Sequence, residues 1–290
     1  IVHIPQPYWF GEGGDMSPEE FGVWAADQLE KKILEVGEEN VAAFIAEPIQ
    51  GAGGVIVPPS TYWPEIQRIC QKYDVLLIAD EVITGFGRTG NWFGCQTFGI
   101  TPDIMTVAKG LTSGYIPMGA SIVSDRVAKV INGSDEFAHG YTYSGHPVAA
   151  AVALENLRLL DEEGIVARVA AETAPYLKAK WESLTAHPLV GEARGLGLIG
   201  ALELAENPAA RKAFDPQRGV GGYFVKRAQA HGLIVRVLGG DVIAFSPPLV
   251  ISEAEIDFML AKTALALDET YVTPIDREDI HSLATALDNV

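Results

Sequence analysis

The chain has 290 residues, of which 48% are hydrophobic and 20% are charged, enough to bury one large core with a smaller companion domain. The formal net charge of −17 at pH 7 makes nucleic acids and anionic membranes poor candidate partners, because both repel an acidic surface. The two cysteines, Cys70 and Cys95, imply no disulfide framework and fit a reducing cytoplasm. We expect neither a signal peptide nor a membrane span, since no long apolar stretch with a basic flank is found.

The first half of the chain alternates amphipathic helices with short apolar runs. One helix is predicted over 18–36, where Ser17 is the N-cap and Glu20 completes a capping box, and a second is predicted over 60–73. The apolar runs that predict strands are 41–46, 75–79, 104–108 and 119–123. Continuous apolar runs between amphipathic helices are typical of a parallel sheet covered on both faces. The sequence therefore predicts an α/β fold with a mostly parallel sheet.

The second half of the chain predicts a smaller α+β domain. Residues 147–181 are predicted to be helical with a break near Gly164. The remaining predicted elements are strands at 197–204 and 233–245 and helices at 221–231 and 253–267. We divide the chain into a large domain over 1–150, a small C-terminal domain over 151–270 and a tail over 271–290.

Three ionisable residues come directly after predicted strands: Glu47, Asp80 and Lys109. Ligands of open parallel sheets bind at the carboxyl ends of the strands, so we expect these side chains to converge on one crevice. An apolar run before a lysine favours partial desolvation, which lowers the pKa of the amine and makes it nucleophilic. An aspartate nearby would stabilise a protonated ring nitrogen, as pyridoxal phosphate requires. Singly, each residue has a simpler interpretation, a turn cap for the aspartate and a solvated surface lysine.

Four segments, in order, resemble the class III aminotransferases, which are pyridoxal-phosphate enzymes of fold type I. The segments are FIAEPIQGAGG (44–54), LLIADEVITGFGRTG (76–90), PDIMTVAKGLTSGYIPMGA (102–120) and HGYTYSGHPVAAA (139–151). The resemblance covers residues 1–271 and is nearest to the omega-amine:pyruvate branch, within it to the putrescine and polyamine:pyruvate aminotransferases. It implies a large cofactor-binding domain and a smaller C-terminal α+β domain.

The resemblance implies a role for each residue of the strand-end group. Lys109, in AKGL, would carry the cofactor as a Schiff base and move the proton during the reaction. Asp80, in ADEV, would bind the pyridinium nitrogen, and Val82 would pack on the face of the ring. Glu47, in AEPIQG, would support the cofactor site, with a purely structural hydrogen bond as the open alternative.

Three more residues have roles implied by the resemblance. Tyr141 and Thr142, in HGYTYSG, would reach the cofactor phosphate of a neighbouring subunit, which implies a homodimer, or a tetramer, with shared active sites. Arg236, in GLIVRVLG, would clamp the carboxylate of pyruvate or of the amino-acid product, since its planar group suits two-point binding. A salt bridge between domains is the alternative role for Arg236.

Two departures from related branches narrow the expected reaction. The ornithine and 4-aminobutyrate branches commonly have Glu and Gln at the positions that Ala52 and Ile83 occupy here. We therefore expect a cytoplasmic transaminase that moves an amino group from an aliphatic amine, such as putrescine or a polyamine, to pyruvate. The alternatives are another class III enzyme, with a different donor or acceptor or with decarboxylase or mutase activity, and a truncated inactive subunit.

The family's N-terminal portion has a glycine- and serine-containing phosphate loop and an aromatic residue that stacks on the cofactor ring. This sequence, which begins at Ile1, contains neither feature, so we expect the chain to be partial. A polypeptide of only these residues is expected to bind pyridoxal phosphate poorly, whereas the complete gene product is expected to be active.

Two other patterns are rejected as functional motifs. Gly195, Gly197 and Gly200 spell the dinucleotide fingerprint G-x-G-x-x-G, but a strand, not a helix, is predicted to follow. The GFGRTG segment at 85–90 lacks the Gly-Lys-Ser/Thr ending of a nucleotide-triphosphate loop. The six histidines show no metal-ligand spacing, so no metal site is expected.

Overall fold

The computed structural model describes residues 1–133 and 137–272, and the chain divides into two compact units. The first unit comprises Ile1–Gly51 and Ile56–Ala170, and the second combines Ala52–Val55 with the residues from Ala171 onward. This division lies after the boundary that the sequence suggests at residue 150, because the helix over Pro147–Glu162 belongs to the first unit. Of the predicted tail, residues 271 and 272 end a helix, and 273–290 lie outside the described residues.

The first unit is built on a four-stranded sheet in the order β1-β2-β3-β4. The strands are β1 (Ala43–Ala46), β2 (Leu76–Asp80), β3 (Ile104–Val107) and β4 (Ala120–Val123). Strands β1, β2 and β3 are parallel, and β4 is antiparallel to β3. The link from β3 to β4 contains only the short 3₁₀ turn Lys109–Leu111, and without a crossover helix the chain reverses direction. The predicted mostly parallel sheet is confirmed.

Helices α2 and α3 form the core that supports this sheet. The helices of the first unit are α1 (Trp9–Glu12), α2 (Pro18–Val36), α3 (Tyr62–Lys72), α4 (Gly94–Phe98), α5 (Asp125–Gly133), α6 (Pro147–Glu162) and α7 (Ile165–Arg168). The predicted capping box of α2 is confirmed, because Glu20 N donates to Ser17 Oγ at 3.2 Å and Ser17 N donates to Glu20 Oε2 at 2.9 Å. Buried side chains that join the helices to β2 include Phe21, Ile33, Trp63, Ile66, Ile69 and Leu77. Burying each of them stabilises the fold by about 1.5–3 kcal/mol.

The long helix predicted over 147–181 is interrupted where the sequence suggests. Helix α6 ends before Gly164, whose φ of +62° is left-handed backbone that favours glycine. After α7, a π-helical turn over Val169–Thr173 leads into α8 (Ala174–Trp181). Pro175 lacks the N–H that a regular helical hydrogen bond needs at this junction, which accounts for the irregular turn.

The second unit contains an antiparallel sheet in the order β5-β6-β8-β7, with helices α9 (Val220–Ala230) and α10 (Glu253–Val272). Its strands are β5 (Val190–Leu196), β6 (Ile199–Leu204), β7 (Arg236–Leu238) and β8 (Val242–Phe245). The sequence gives no signal for β5, and its single strand over 233–245 is two strands, because a turn with φ of +74° at Gly240 and +59° at Asp241 reverses the chain. Strand β6 pairs with β5 in a hairpin, so rejection of the dinucleotide fingerprint is confirmed.

A buried arginine holds the short segment 52–55 in the second unit. The guanidinium of Arg194 donates to the carbonyl oxygens of Gly54, at 2.6 Å from Nη2, and of Val55, at 3.1 Å from Nε. It also pairs with Glu192 at 2.7 Å and with the buried carboxylate of Glu203. This network satisfies two carbonyls in a segment whose Val55 has a strained φ of +50°.

Among the helices that the structure describes, none combines the length and apolar character needed to cross a bilayer.

Candidate active site

Three parallel strands end at one edge of the sheet of the first unit, and each end carries an ionisable residue. Glu47 follows β1, Asp80 is the last residue of β2, and Lys109 lies just after β3. The strands are neighbours in the order β1-β2-β3, so their carboxyl ends lie side by side. The three side chains are also close enough to interact electrostatically, since the charges of Asp80 and Lys109 both shift the pKa of Glu47. The structure thus brings together the three residues that the sequence singles out at strand ends.

Asp80 is half-buried and held by its own backbone turn. Its Oδ1 accepts a hydrogen bond from the N–H of Val82 at 3.1 Å. The next N–H, that of Glu81, donates to the carbonyl of Thr106 on β3 at 2.9 Å. Val82 is also half-buried and lies one step beyond this fixed turn. The aspartate therefore has a defined orientation at the end of β2.

Glu81 is a fully buried carboxylate and is not among the site residues predicted from the sequence. Its two oxygens accept hydrogen bonds from Thr84 Oγ1, from Gly94 N at 2.8 Å and from Cys95 N at 2.6 Å. These bonds fasten the turn after Asp80 to the start of α4. The adjacent pair of carboxylates in the sequence was a signal, because successive side chains at the end of a strand tend to face opposite sides.

Glu47 combines a structural hydrogen bond with a position near the charged pair. Its Oε2 accepts the N–H of Gly51 at 2.9 Å, so the structural alternative for this residue is observed. Burial raises the pKa of the Glu47 carboxyl most strongly, and the charge of Asp80 raises it further. The hydrogen bond from Gly51 and the charge of Lys109 act in the opposite direction without cancelling the rise. A raised pKa in such a cluster is a feature of functional sites.

Lys109 differs from the expectation of partial desolvation, because its side chain is exposed. It lies beyond the end of β3, on the 3₁₀ turn Lys109–Leu111, where the neighbouring strands do not enclose it. Its backbone φ of +40° is unusual for a residue with a Cβ, and backbone strain of this kind clusters at active sites. The strand alone therefore does not desolvate the lysine.

Asn156 of α6 contacts the turn that carries Lys109. Like Glu81, it is not among the site residues predicted from the sequence. Its Nδ2 donates to the carbonyl oxygens of Gly110 at 2.9 Å and Leu111 at 3.1 Å. Its Oδ1 accepts a hydrogen bond from Ser113 Oγ at 2.6 Å. No local pattern gives away this role, because the residues are more than forty positions apart in the chain.

Tyr141 and Thr142 are exposed in the loop before α6. The N–H of Tyr141 donates to Ser144 Oγ at 3.3 Å, and its carbonyl accepts the N–H of Ser144 at 3.0 Å. The tyrosine ring, 75% exposed, lies edge-on to His139. These contacts shape the loop locally and leave both side chains accessible.

Arg236 begins β7 in the second unit and is exposed. Its backbone pairs with Ala244 of β8. Within the described part of that unit, no carboxylate forms an ion pair with it, and the alternative role in a salt bridge between domains stays a prediction.

Comparison with known proteins identifies the family. Residues 17–267 match the family model described as aminotransferase class-III. The chain is 64% identical over 270 residues to a putrescine–pyruvate aminotransferase of Pseudomonas aeruginosa, covering 93% of this chain and 59% of that protein. It is 46% identical to the chloroplastic gamma aminobutyrate transaminase 3 of Solanum lycopersicum, covering 93% of this chain and 52% of that one.

Solved structures agree with the sequence comparisons. An (S)-enantioselective omega-transaminase from Thermomicrobium roseum superposes with a TM-score of 0.87 at 46% identity, covering 93% of this chain and 60% of that one. A transaminase obtained by ancestral reconstruction gives a TM-score of 0.90 at 44% identity, with the same coverage. These likenesses confirm fold type I. The chain spans about 59% of the length of its curated relative from P. aeruginosa. The chain belongs to the class III aminotransferase family.

Proposed function

We propose that this protein is a pyridoxal-phosphate-dependent aminotransferase. It moves an amino group from an aliphatic amine of the putrescine or polyamine type to pyruvate, and the products are an aldehyde and alanine. The observation that carries the proposal is the convergence of Glu47, Asp80 and Lys109 at one edge of a parallel sheet. The 64% identity to a putrescine–pyruvate aminotransferase supports the choice of donor and acceptor.

The residues at this edge fit the cofactor. Pyridoxal phosphate needs a carboxylate for its protonated ring nitrogen and a primary amine for its aldehyde carbon. Asp80 Oδ1 accepts one backbone N–H, while Oδ2 has no hydrogen-bond partner among the described residues. The exposed amine of Lys109 forms no salt bridge in the parts of the chain that the structure describes. The oriented carboxylate of Asp80 and the exposed amine of Lys109 are the two groups that this chemistry requires.

Each residue of the site has a distinct task in the proposed reaction. The bound cofactor would supply an electron sink for the carbon that bears the substrate nitrogen. Asp80 would keep the ring nitrogen protonated, and Val82 would pack on the ring face. Lys109 would bind the aldehyde carbon through Nζ and then move the proton at the substrate carbon. Glu47 would support this arrangement through its bond to Gly51.

More exposed residues would bind the acceptor substrate and reach the partner subunit. Arg236 would bind the carboxylate of pyruvate and of alanine through two parallel N–H bonds. Its exposure and its lack of an ion pair among the described residues of the second unit leave it available for a ligand. Tyr141 and Thr142 would reach the cofactor phosphate of a second subunit in a homodimer, and their exposure supports this role. A cytoplasmic location fits the two free cysteines.

The test is a panel of donor and acceptor pairs offered to the complete gene product. Putrescine, a longer polyamine and 4-aminobutyrate are offered as donors, and pyruvate and 2-oxoglutarate as acceptors, with alanine and glutamate measured separately. We expect alanine from putrescine and pyruvate, and no product from the Lys109→Ala variant. Glutamate from 4-aminobutyrate and 2-oxoglutarate, with no alanine from any donor, would overturn both proposed substrates.

A further inference from the structure

We propose that Asn156 is a positioning residue that sets the geometry of the Lys109 amine. The inference rests on the proposed function for its catalytic meaning, but the geometry on which it depends is a property of the chain itself. The turn after β3 is short, strained and exposed at the lysine. One side chain from α6 contacts it in three places.

The hydrogen bonds of the turn show why it needs support. Leu111 N donates to the carbonyl of Ala108 at 2.9 Å, and Thr112 N donates to the carbonyl of Lys109 at 3.2 Å. The carbonyl of Gly110 accepts the N–H of Ser113 at 3.4 Å, and Nδ2 of Asn156 on α6 donates to the carbonyls of both Gly110 and Leu111. Those two bonds fix the peptide groups that follow Gly110 and Leu111, one and two positions beyond the peptide group of Lys109.

The backbone is strained at the start of the turn and again just after it, which indicates that the turn needs support from outside. Lys109 has a φ of +40° and Ser113 a φ of +49°, and residues with a Cβ keep such angles only when their surroundings impose them. Asn156 contacts the turn beside the first strained residue and, through Ser113 Oγ, holds the second. A change in φ at Lys109 would swing its Cα–Cβ bond and displace its amine.

The chemistry of the contact selects an amide. Asparagine offers two N–H donors and one acceptor oxygen on a short side chain, and the turn uses all three. Aspartate keeps only the acceptor and would place a charge against two carbonyl oxygens. The helix fixes the direction of this side chain, because the buried residues Ala149, Ala153 and Leu160 share its inward face at spacings of three and four.

The experiment uses the complete gene product with Asn156→Ala and Asn156→Asp, and with Ser113→Ala, which removes only one of the three contacts. Asn132→Ala, at an exposed asparagine on α5, is the matched control. Four quantities are measured for each: thermal unfolding, kcat and KM for the amine donor, and the site-specific rate at which Lys109 is labelled by trinitrobenzenesulfonate without cofactor. Exposed Lys129 serves as the internal reference for the labelling rate.

We expect Asn156→Ala and Asn156→Asp to lower kcat about 100-fold with KM changed less than about threefold, because a displacement of about 1 Å has this effect on reacting groups. The Lys109 labelling rate relative to Lys129 should change in both variants, while Ser113→Ala has a smaller effect and Asn132→Ala none. An unchanged kcat, or a loss matched by the fraction unfolded with unchanged labelling, overturns the proposal. If the wild type lacks aminotransferase activity, the proposed function fails, and the labelling ratio still decides whether Asn156 positions the amine.

Discussion

Replacing Glu81 with glutamine keeps the size of a buried side chain and removes one of its acceptor oxygens. The carboxylate accepts hydrogen bonds from Thr84 Oγ1 and from the N–H groups of Gly94 and Cys95. Because Nε2 of an amide cannot accept, at least one buried N–H loses its partner, which costs about 1–3 kcal/mol. The remaining donors face a neutral oxygen, a weaker acceptor than a carboxylate. The neutral amide is easier to desolvate and offsets part of this, so we expect a net loss of about 2 kcal/mol.

Thermal unfolding of the complete gene product measures this loss. A destabilisation of about 2 kcal/mol corresponds to a fall in Tm of about 4–8 °C for an unfolding unit of about 150–250 residues. The control is Glu35→Gln, since Glu35 is exposed and, among the described residues, pairs only with Lys32 on the same helix, and its effect should stay below about 0.5 kcal/mol. If Glu81→Gln melts within about 1 °C of the wild type, the assigned hydrogen bonds do not stabilise the turn after Asp80.

Three further outcomes follow from the same structure. Burial, and then the charge of Asp80, raises the pKa of Glu47 above 4.5, so the folded state binds the proton more tightly and stability falls as pH rises from 4.5 to the folded pKa. Glu47→Gln should remove that fall, and urea unfolding at stepped pH that shows a constant difference from wild type would contradict it. A Cβ on Gly195 would lie 2.9 Å from the carbonyl oxygen of Ile199, so Gly195→Ala should lower the free energy of unfolding by about 1–3 kcal/mol and lower Tm. Its control is Gly222→Ala in α9, where the added Cβ meets open space and the substitution should be neutral or stabilising. Arg194→Met removes the cation that pairs with the buried Glu203 and the half-buried Glu192, and it should cost about 3–5 kcal/mol in urea unfolding. A similar loss in the exposed Lys178→Met would point to a non-specific cause.

Local sequence determined the elements whose signals lie within a few residues. Ser17 and Glu20 fixed the start of α2, since both partners of the capping box are three positions apart. Gly164 marked the end of α6, because a left-handed residue cannot continue a helix. Apolar runs located β1, β2 and β3, and with them the strand-end positions of Glu47, Asp80 and Lys109.

Other features needed contacts between residues far apart in the chain. Strand β5 carries no run of its own, and pairing with β6 makes it a strand. The sequence cannot tell that β4 runs antiparallel, since an apolar run has no direction.

At the candidate site, the charged residues could be predicted from the sequence, whereas the tertiary structure decided their solvent exposure and their hydrogen-bond partners. The amine of Lys109 was expected to be desolvated by its strand, yet it lies on a turn beyond the strand and is exposed. The groups that orient this site are Glu81, buried behind Asp80, and Asn156, which reaches the lysine turn from α6. Residue types are written in the sequence, but hydrogen-bond partners and solvent exposure depend on which distant segments pack together, and only folding establishes that.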